Sequence, residues 1–268
     1  MTTNNPAIKR QVIGLIPAGG QGTRISPLPL SKELYPIGFR FLENNTKLRP
    51  KVVGHYLLEK MQSAGIDKAY FILRPGKWDI PAYFGDGAML SMNLGYLIMN
   101  LPYGVPYTLD QAYPFVQDAV VALGFPDILF EPEDAFNRVL TRLDNNGADI
   151  VLGLFPCSQP EKAGMVDFNE SGKVLKIIEK VKDCTLSHMW GIAVWSPRFT
   201  KFIHELLINL KTQGNLSEES ELRLSDVMQL AIDEGMQVEA EVLPGASYID
   251  IGTPDDLVKA VREFAANC

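Results

Sequence analysis

Three groups of residues in this 268-residue chain have types and spacings that could do chemistry. The first lies in LIPAGGQGTRISPLPLSKELYPIG, residues 15–38, where an apolar run opens into Ala18-Gly19-Gly20-Gln21-Gly22-Thr23, followed by Arg24 and, eight residues on, Lys32. Glycines let backbone N–H groups approach a phosphate with no Cβ in the way, and nearby cations offset the charge that phosphoryl transfer redistributes. The second is a pair of aspartates, each following an apolar run: Asp127 after AVVALGFP and Asp250 after SYI. In an open α/β sheet both can face one crevice beyond the strand ends, and Mg²⁺ suits a couple of carboxylates with phosphate oxygens and water completing its octahedron. The third is Glu179-Lys180. A carboxylate can accept from two vicinal hydroxyls, and an ammonium can screen the repulsion between two phosphates. As neighbours on a regular strand they would point to opposite faces, so both reach one ligand only at a bulge or a strand end.

Two common phosphate loops are excluded by the residues themselves. A dinucleotide fingerprint needs GxGxxG, but Thr23, Arg24 and Ile25 follow Gly22, and no lysine stands where a Walker A loop needs one. Pro27, Pro29 and Pro36 disfavour a helix running straight out of the glycines. The expected form is a long extended cover over a nucleoside triphosphate. The bland alternative, Arg24 and Lys32 as solvated cations on an irregular loop, is what composition alone would give.

The stretch AGGQGTR…P…SKELYPI resembles the GGxGTRxxPxTxxxPKxLxPI signature of the sugar-1-phosphate nucleotidyltransferases, the glucose-1-phosphate thymidylyl- and uridylyltransferase family, and the resemblance continues from Val12 to about Phe264. It implies nucleotide contacts at Ala18, Gly19, Gly20, Gln21, Gly22 and Thr23, an arginine that stabilises the phosphates at Arg24, and a lysine on the triphosphate side at Lys32. FPD and YIDIGTP match the family's metal aspartates, which implies Mg²⁺ at Asp127 and Asp250. Ala163-Gly164-Met165-Val166 resembles YGVV, and Ile178-Glu179-Lys180-Val181 resembles EEKP, with Val181 in place of the proline. These imply sugar contacts at Gly164 and Glu179 and a sugar-phosphate contact at Lys180, while Trp190 stands beside Gly191 where a family glycine lines the sugar pocket. Thr108-Leu109-Asp110-Gln111-Ala112 is similar to GLAQA: Gln111 is kept for the base, but Thr108 and Asp110 depart.

The resemblance implies Mg²⁺-dependent transfer of a nucleotidyl group to a sugar 1-phosphate, with a nucleoside triphosphate and a sugar 1-phosphate as substrates. Which sugar and which base stay open, and a homo-oligomer is an expectation of the resemblance alone. The alternatives are a cytidylyltransferase acting on another phosphorylated alcohol, a non-catalytic nucleotide- or NDP-sugar-binding homologue, and a dinucleotide-dependent oxidoreductase, the last weakened by the missing glycine.

These residues need a scaffold, and the hydrophobic pattern supplies one. Val53, Leu57, Met61 and Ala64 fall on one helical face before Gly65; AYFIL at 69–73, GYLIM at 95–99, the apolar run at 119–125 and IVLGLF at 150–155 read as strands. A short helix is expected over 109–116 and another through Phe136, Val139, Leu140 and Leu143. MVDF and KVLKIIE flank Asn169-Glu170-Ser171-Gly172 as a hairpin, WGIAVW at 190–195 is a further strand, and helices follow Pro197, Ser225 and Pro254. Thr253-Pro254-Asp255-Asp256 reads as a helix cap, so Asp255 and Asp256 are structural. The expected fold class is α/β: a Rossmann-like, mixed but mostly parallel central sheet with helices on both faces and an antiparallel extension on the sugar side, as in the nucleotide-diphospho-sugar transferases. One domain over 1–268 is expected, with a nucleotide half over about 10–150 and a sugar-phosphate half over about 151–268.

A hydrophobic content of 46% supports a large core, and a net charge of −7 argues against a nucleic-acid backbone or an anionic membrane as partner. Cys157, Cys184 and Cys268 lack CxxC spacing, which fits neither a disulfide framework nor a zinc site and suggests a reducing cytoplasm. Lys9-Arg10 ahead of a short apolar run is read as leading into a strand rather than a signal peptide.

Overall fold

A computed structural model of the chain describes residues 10–42, 47–99, 103–181, 184–214 and 222–265; Cys268 and Lys9 lie outside them. In chain order the elements are β1 (Val12–Pro17), β2 (Pro36–Leu42), β3 (Lys47–Val52), α1 (Val53–Ser63), β4 (Lys68–Leu73), α2 (Asp79–Phe84), β5 (Asn93–Ile98), α3 (Val105–Asp110), α4 (Tyr113–Val116), β6 (Val120–Leu123) and β7 (Ile128–Glu131). There follow α5 (Ala135–Asn146), β8 (Ile150–Pro156), β9 (Gly164–Phe168), β10 (Val174–Glu179), β11 (His188–Trp195), α6 (Pro197–Thr212), α7 (Leu224–Asp233), β12 (Val238–Val242), β13 (Ser247–Asp250) and α8 (Pro254–Ala265).

The main sheet runs β10-β9-β11-β6-β1-β4-β5, with β8 also on β11 and β12 on β8. β1 is parallel to β4 and β6, and β4 to β5, whereas β11 is antiparallel to β6, β8 and β9. The unbroken apolar runs of β1, β6 and β8 follow from this, because a strand covered by helices on both faces buries every side chain. Alternation then sorts them: Ile16, Phe71, Val120 and Val151 meet α1 and α5, while Ile13, Leu15, Val121 and Leu152 meet α6 and α7. The expected helices on both faces are thereby observed.

α5 shows how the pattern does this. Phe136, Val139 and Leu143 form one buried stripe at helical spacing, and each contributes about 1.5–3 kcal/mol by leaving water. Gly147 ends the helix in the left-handed region, φ 65°, its N–H donating to Leu143 O at 3.1 Å.

Several elements differ from the expectation. The helix over 109–116 is two, α3 and α4, because Pro114 has no N–H to carry the first one onward. The β2–β3 hairpin, β7, β12 and α2 are additional. β2 and β3 each contain a proline, β7 has only four residues, and VEAEV in β12 alternates charge with small apolar residues instead of reading as a buried run. The expected hairpin at 165–179 is β9–β10, and it extends the antiparallel side of the sheet.

Candidate active site

β1 delivers the glycine loop to the carboxyl end of the sheet, where Ala18 N–H donates to Ile72 O of β4 at 2.9 Å. Gly22 takes the left-handed conformation, φ 63°, that glycine adopts without strain, and starts a single 3₁₀ turn over Thr23–Ile25. Ile25 is the buried anchor of that turn. The proline-rich cover returns through a second 3₁₀ turn at Lys32–Leu34. Ser31 fastens it, donating from N–H and Oγ to the two carboxylate oxygens of Asp79, both at 2.7 Å. Burial works against that carboxylate, but these bonds prevail and hold Asp79 below its usual range. Glu33 is 1% exposed and receives Lys77 Nζ at 2.5 Å. Its burial raises its pKa even so, with Lys77 opposing.

The loop roofs a cavity of about 730 Å³ lined by Gly19, Gly20, Gln21, Lys32, Thr108 and Asp127, among others. Lys32 makes an ion pair with Asp127. Burial lowers the Lys32 pKa, but Asp127, Glu33 and Asp250 outweigh it, and the net shift is upward, so the ammonium stays charged. Asp127 and Asp250 arrive on different segments, and a ladder unforeseen from sequence brings them together. β13 pairs antiparallel with β7, setting Asp250 opposite Ile128, and Ile251 N–H donates to Asp127 O at 3.1 Å. Asp250 is held by Gly252 N–H at 2.8 Å. Burial first, then the Asp127 charge, raises its pKa, against Gly252, Lys32 and Arg24. Arg24 reaches the same turn: a Cβ built on Gly252 would stand 3.1 Å from Arg24 Nη2 and 2.8 Å from Asp250 Oδ1. The expected cap next door is observed, with Asp256 N–H donating to Thr253 Oγ1 at 3.3 Å.

The two carboxylates that could take a cation here are those of Asp127 and Asp250, with the Asp127 charge among the causes that raise the Asp250 pKa. Among the described residues no cluster of three or more His, Cys, Asp or Glu could hold a metal ion. A pair of aspartates fits Mg²⁺ only if phosphate oxygens and water supply the remaining ligands.

The other half of the crevice is built around Ser225, the second residue of α7. Ser225 Oγ accepts from Trp190 Nε1 at 2.9 Å and donates to Glu179 Oε1. Gly164 completes the group, because a Cβ there would sit 2.5 Å from Trp190 Nε1 and 2.9 Å from both Glu179 Oε1 and Ser225 Oγ. Glu179 ends β10, and the chain leaves the strand at Lys180 with φ 51°, the strand end that neighbouring side chains need. Lys180 is exposed. Phe125 joins the halves, lining the 730 Å³ cavity and meeting Trp190 with ring centroids 6.1 Å apart.

Of the residues singled out from sequence, Gly19, Gly20, Gln21, Lys32 and Asp127 line one cavity, and Arg24 and Asp250 meet beside it. Gly164, Glu179 and Trp190 cluster on the other side. Ala18 is buried behind the loop, and Thr23 is exposed. Gln111 donates to its own helix, to Tyr107 O at 3.2 Å, while Asp110 turns to His204 Nδ1 at 2.9 Å. Ser225, Phe125 and the Glu33–Lys77 pair take no role from any sequence motif and come to the site only through the fold. Ser225 stood in plain view as the first residue of an expected helix, where a serine reads as a cap.

The family model described as "Nucleotidyl transferase" matches residues 13–267. A glucose-1-phosphate thymidylyltransferase of Mycolicibacterium smegmatis is 28% identical over 253 residues, covering 92% of this chain and 80% of that protein. The low-salt glycan biosynthesis nucleotidyltransferase Agl11 of Haloferax volcanii is 24% identical over 251 residues, and this chain spans 64% of its length. A UTP-bound UGPase from Acinetobacter baumannii has the same fold, with a TM-score of 0.76 at 16% identity, over 96% of this chain and 94% of that one.

Proposed function

The chain belongs to the nucleotidyl transferase family, and on that premise we propose that it joins a sugar 1-phosphate to the α-phosphorus of a nucleoside triphosphate, giving an NDP-sugar and pyrophosphate. One observation carries the reading: the glycine loop, Lys32, Arg24 and the paired Asp127 and Asp250 converge on one crevice, which Phe125 connects to the pocket of Gly164, Glu179 and Trp190. A phosphate-binding half and a hydroxyl-binding half are what this reaction brings into contact. The name of the M. smegmatis relative points the same way.

A sugar-phosphate oxygen attacks the α-phosphorus, the bond to the bridging oxygen breaks, and pyrophosphate departs with that electron pair. No enzyme nucleophile is needed, so the side chains act by placement and charge. Glycine-loop N–H groups and Lys32 hold the triphosphate, and Arg24, beside Asp250, offsets charge that grows on the leaving side. Glu179, fixed by Ser225, accepts from sugar hydroxyls while Lys180 screens the incoming phosphate. Mg²⁺ held by Asp127 and Asp250 would neutralise phosphate charge. Free thiols at Cys157 and Cys184 support the cytoplasm as compartment, and the acidic net charge supports small-molecule partners over nucleic acid or membrane; no helix among the described residues is long and apolar enough to cross a membrane. A homo-oligomer is part of the same reading, on the resemblance alone.

Asp250→Ala tests the roles. It should leave the melting temperature within a few degrees of wild type and cut Mg²⁺-dependent pyrophosphate release by roughly 10²–10³-fold. Undiminished release would remove Asp250 from the metal site.

A further inference from the structure

Arg74 follows Leu73 at the carboxyl end of β4, the strand beside β1. It stands two residues beyond Ile72, whose carbonyl receives the Ala18 N–H at the root of the glycine loop. Its side chain is half-buried, and among the described residues its guanidinium has no ion-pair or hydrogen-bond partner. The charges around it are otherwise engaged: Lys32 with Asp127, Lys77 with Glu33, and Asp79 with Ser31. A cation drawn partly out of water with no counter-charge is set up for an anionic ligand.

Two cavities meet at Arg74. One is the 730 Å³ cavity that also holds Lys32 and Asp127. The other, of about 440 Å³, lies under the proline-rich cover and is bounded by Gly20, Gly22, Ser31 and Lys32 as well as Arg74. No residue of the 108–112 segment, the base side by resemblance, lines this second space. Beside Leu28, Pro29 and Leu30 of the cover, its glycine main chain, Ser26 and Ser31, and three cations, Lys32, Arg74 and Lys77, against the single carboxylate of Asp79 make a surface for phosphate oxygens, and a guanidinium fork matches two oxygens of one phosphate.

We infer that Arg74 is a nucleotide-binding residue that grips the β- and γ-phosphates, the part released as pyrophosphate. This rests on the proposed reaction for the name of the leaving group, but not for the binding itself. In the sequence Arg74 is a lone arginine before Pro75-Gly76, which reads as a turn residue.

The test separates the phosphate tail from the rest of the nucleotide. Binding of five ribo- and deoxyribonucleoside triphosphates (ATP, GTP, CTP, UTP and dTTP), their monophosphates and inorganic pyrophosphate, all with Mg²⁺, is measured by calorimetry for wild type, Arg74→Ala and Arg74→Lys. Thermal unfolding confirms that each variant is folded. Arg74→Ala should weaken the best-bound triphosphate and pyrophosphate about tenfold, roughly 1.4 kcal/mol, and leave the matching monophosphate within about twofold. Arg74→Lys should fall between, since it keeps the charge and loses the fork. Equal losses for mono- and triphosphate would move Arg74 to the nucleoside, and an unchanged pyrophosphate affinity would overturn the assignment, as would a wild type that binds triphosphate no better than monophosphate. If the tail preference depends on Arg74 while no sugar phosphate yields an NDP-sugar, Arg74 stands and the proposed reaction falls.

Discussion

Ser225 shows how one hydroxyl can decide what a neighbouring carboxylate does. By accepting from Trp190 and donating to Glu179 it fixes one carboxylate oxygen, leaving the other to meet a ligand. Ser225→Ala should therefore raise the KM for the sugar phosphate about five- to tenfold, near 1–1.4 kcal/mol, with the nucleoside triphosphate KM unchanged. A parallel rise in both KM values would show that Ser225 supports the fold instead of the pocket. Asp250 makes a second residue-scale prediction. Burial and the Asp127 charge raise its pKa in the folded chain, so the folded state holds its proton to higher pH than the unfolded state does. Stability of the cation-free protein should then fall as pH climbs from the ordinary carboxylate range through that raised value, and Glu33 contributes in the same sense. Melting curves across that window should be flatter for Asp250→Asn than for wild type; superimposable slopes would mean that Asp250 is not raised.

At the scale of elements, the proline-rich cover is tied to the body by the bonds from Ser31 to Asp79, followed by the Lys32–Asp127 and Glu33–Lys77 pairs. Asp79→Ala removes the two partly buried acceptors that hold Ser31 of the cover, worth about 1–3 kcal/mol together, and on the proposed reading that cover must be ordered to hold the nucleotide. The KM for nucleoside triphosphate should rise several-fold, with the sugar-phosphate KM unchanged in initial-rate assays. The strands that carry the glycine loop and Asp127 were legible because buried parallel strands read as apolar runs: VIGLIP and VVAL announce themselves. The ladder that joins the two aspartates was not. β7 and β13 are four residues each, and SYID gives no sign in isolation that Ile249 lies across from Leu129. The glycine loop could be read from local chemistry, but the grouping of Glu179 with Ser225 depends on α7 packing against β10, a contact between positions 46 residues apart.

The whole molecule is a two-faced sheet whose packing sets the crevice but takes no part in the chemistry. Phe71 is fully buried, with ring centroids 5.7 Å from Phe84 and 5.8 Å from Tyr96. Phe71→Ala should cost about 3–5 kcal/mol in denaturant unfolding, while kcat/KM, measured where the variant is still folded, stays within about twofold. On the proposed reading, the net charge of −7 sharpens the same division, because an acidic molecule that binds a polyanion must meet it locally, with Lys32, Arg24 and a divalent cation that Asp127 and Asp250 would hold. The central claim is that this crevice couples two phosphates into one product. The direct measurement incubates the protein with Mg²⁺ and a matrix of nucleoside triphosphates and sugar 1-phosphates, quantifying pyrophosphate and NDP-sugar together by phosphorus NMR. At least one pair should give both products in a one-to-one ratio, with neither formed when the sugar phosphate or Mg²⁺ is omitted. Triphosphate breakdown to nucleoside diphosphate and phosphate, or pyrophosphate release that does not depend on a sugar 1-phosphate, would contradict the account.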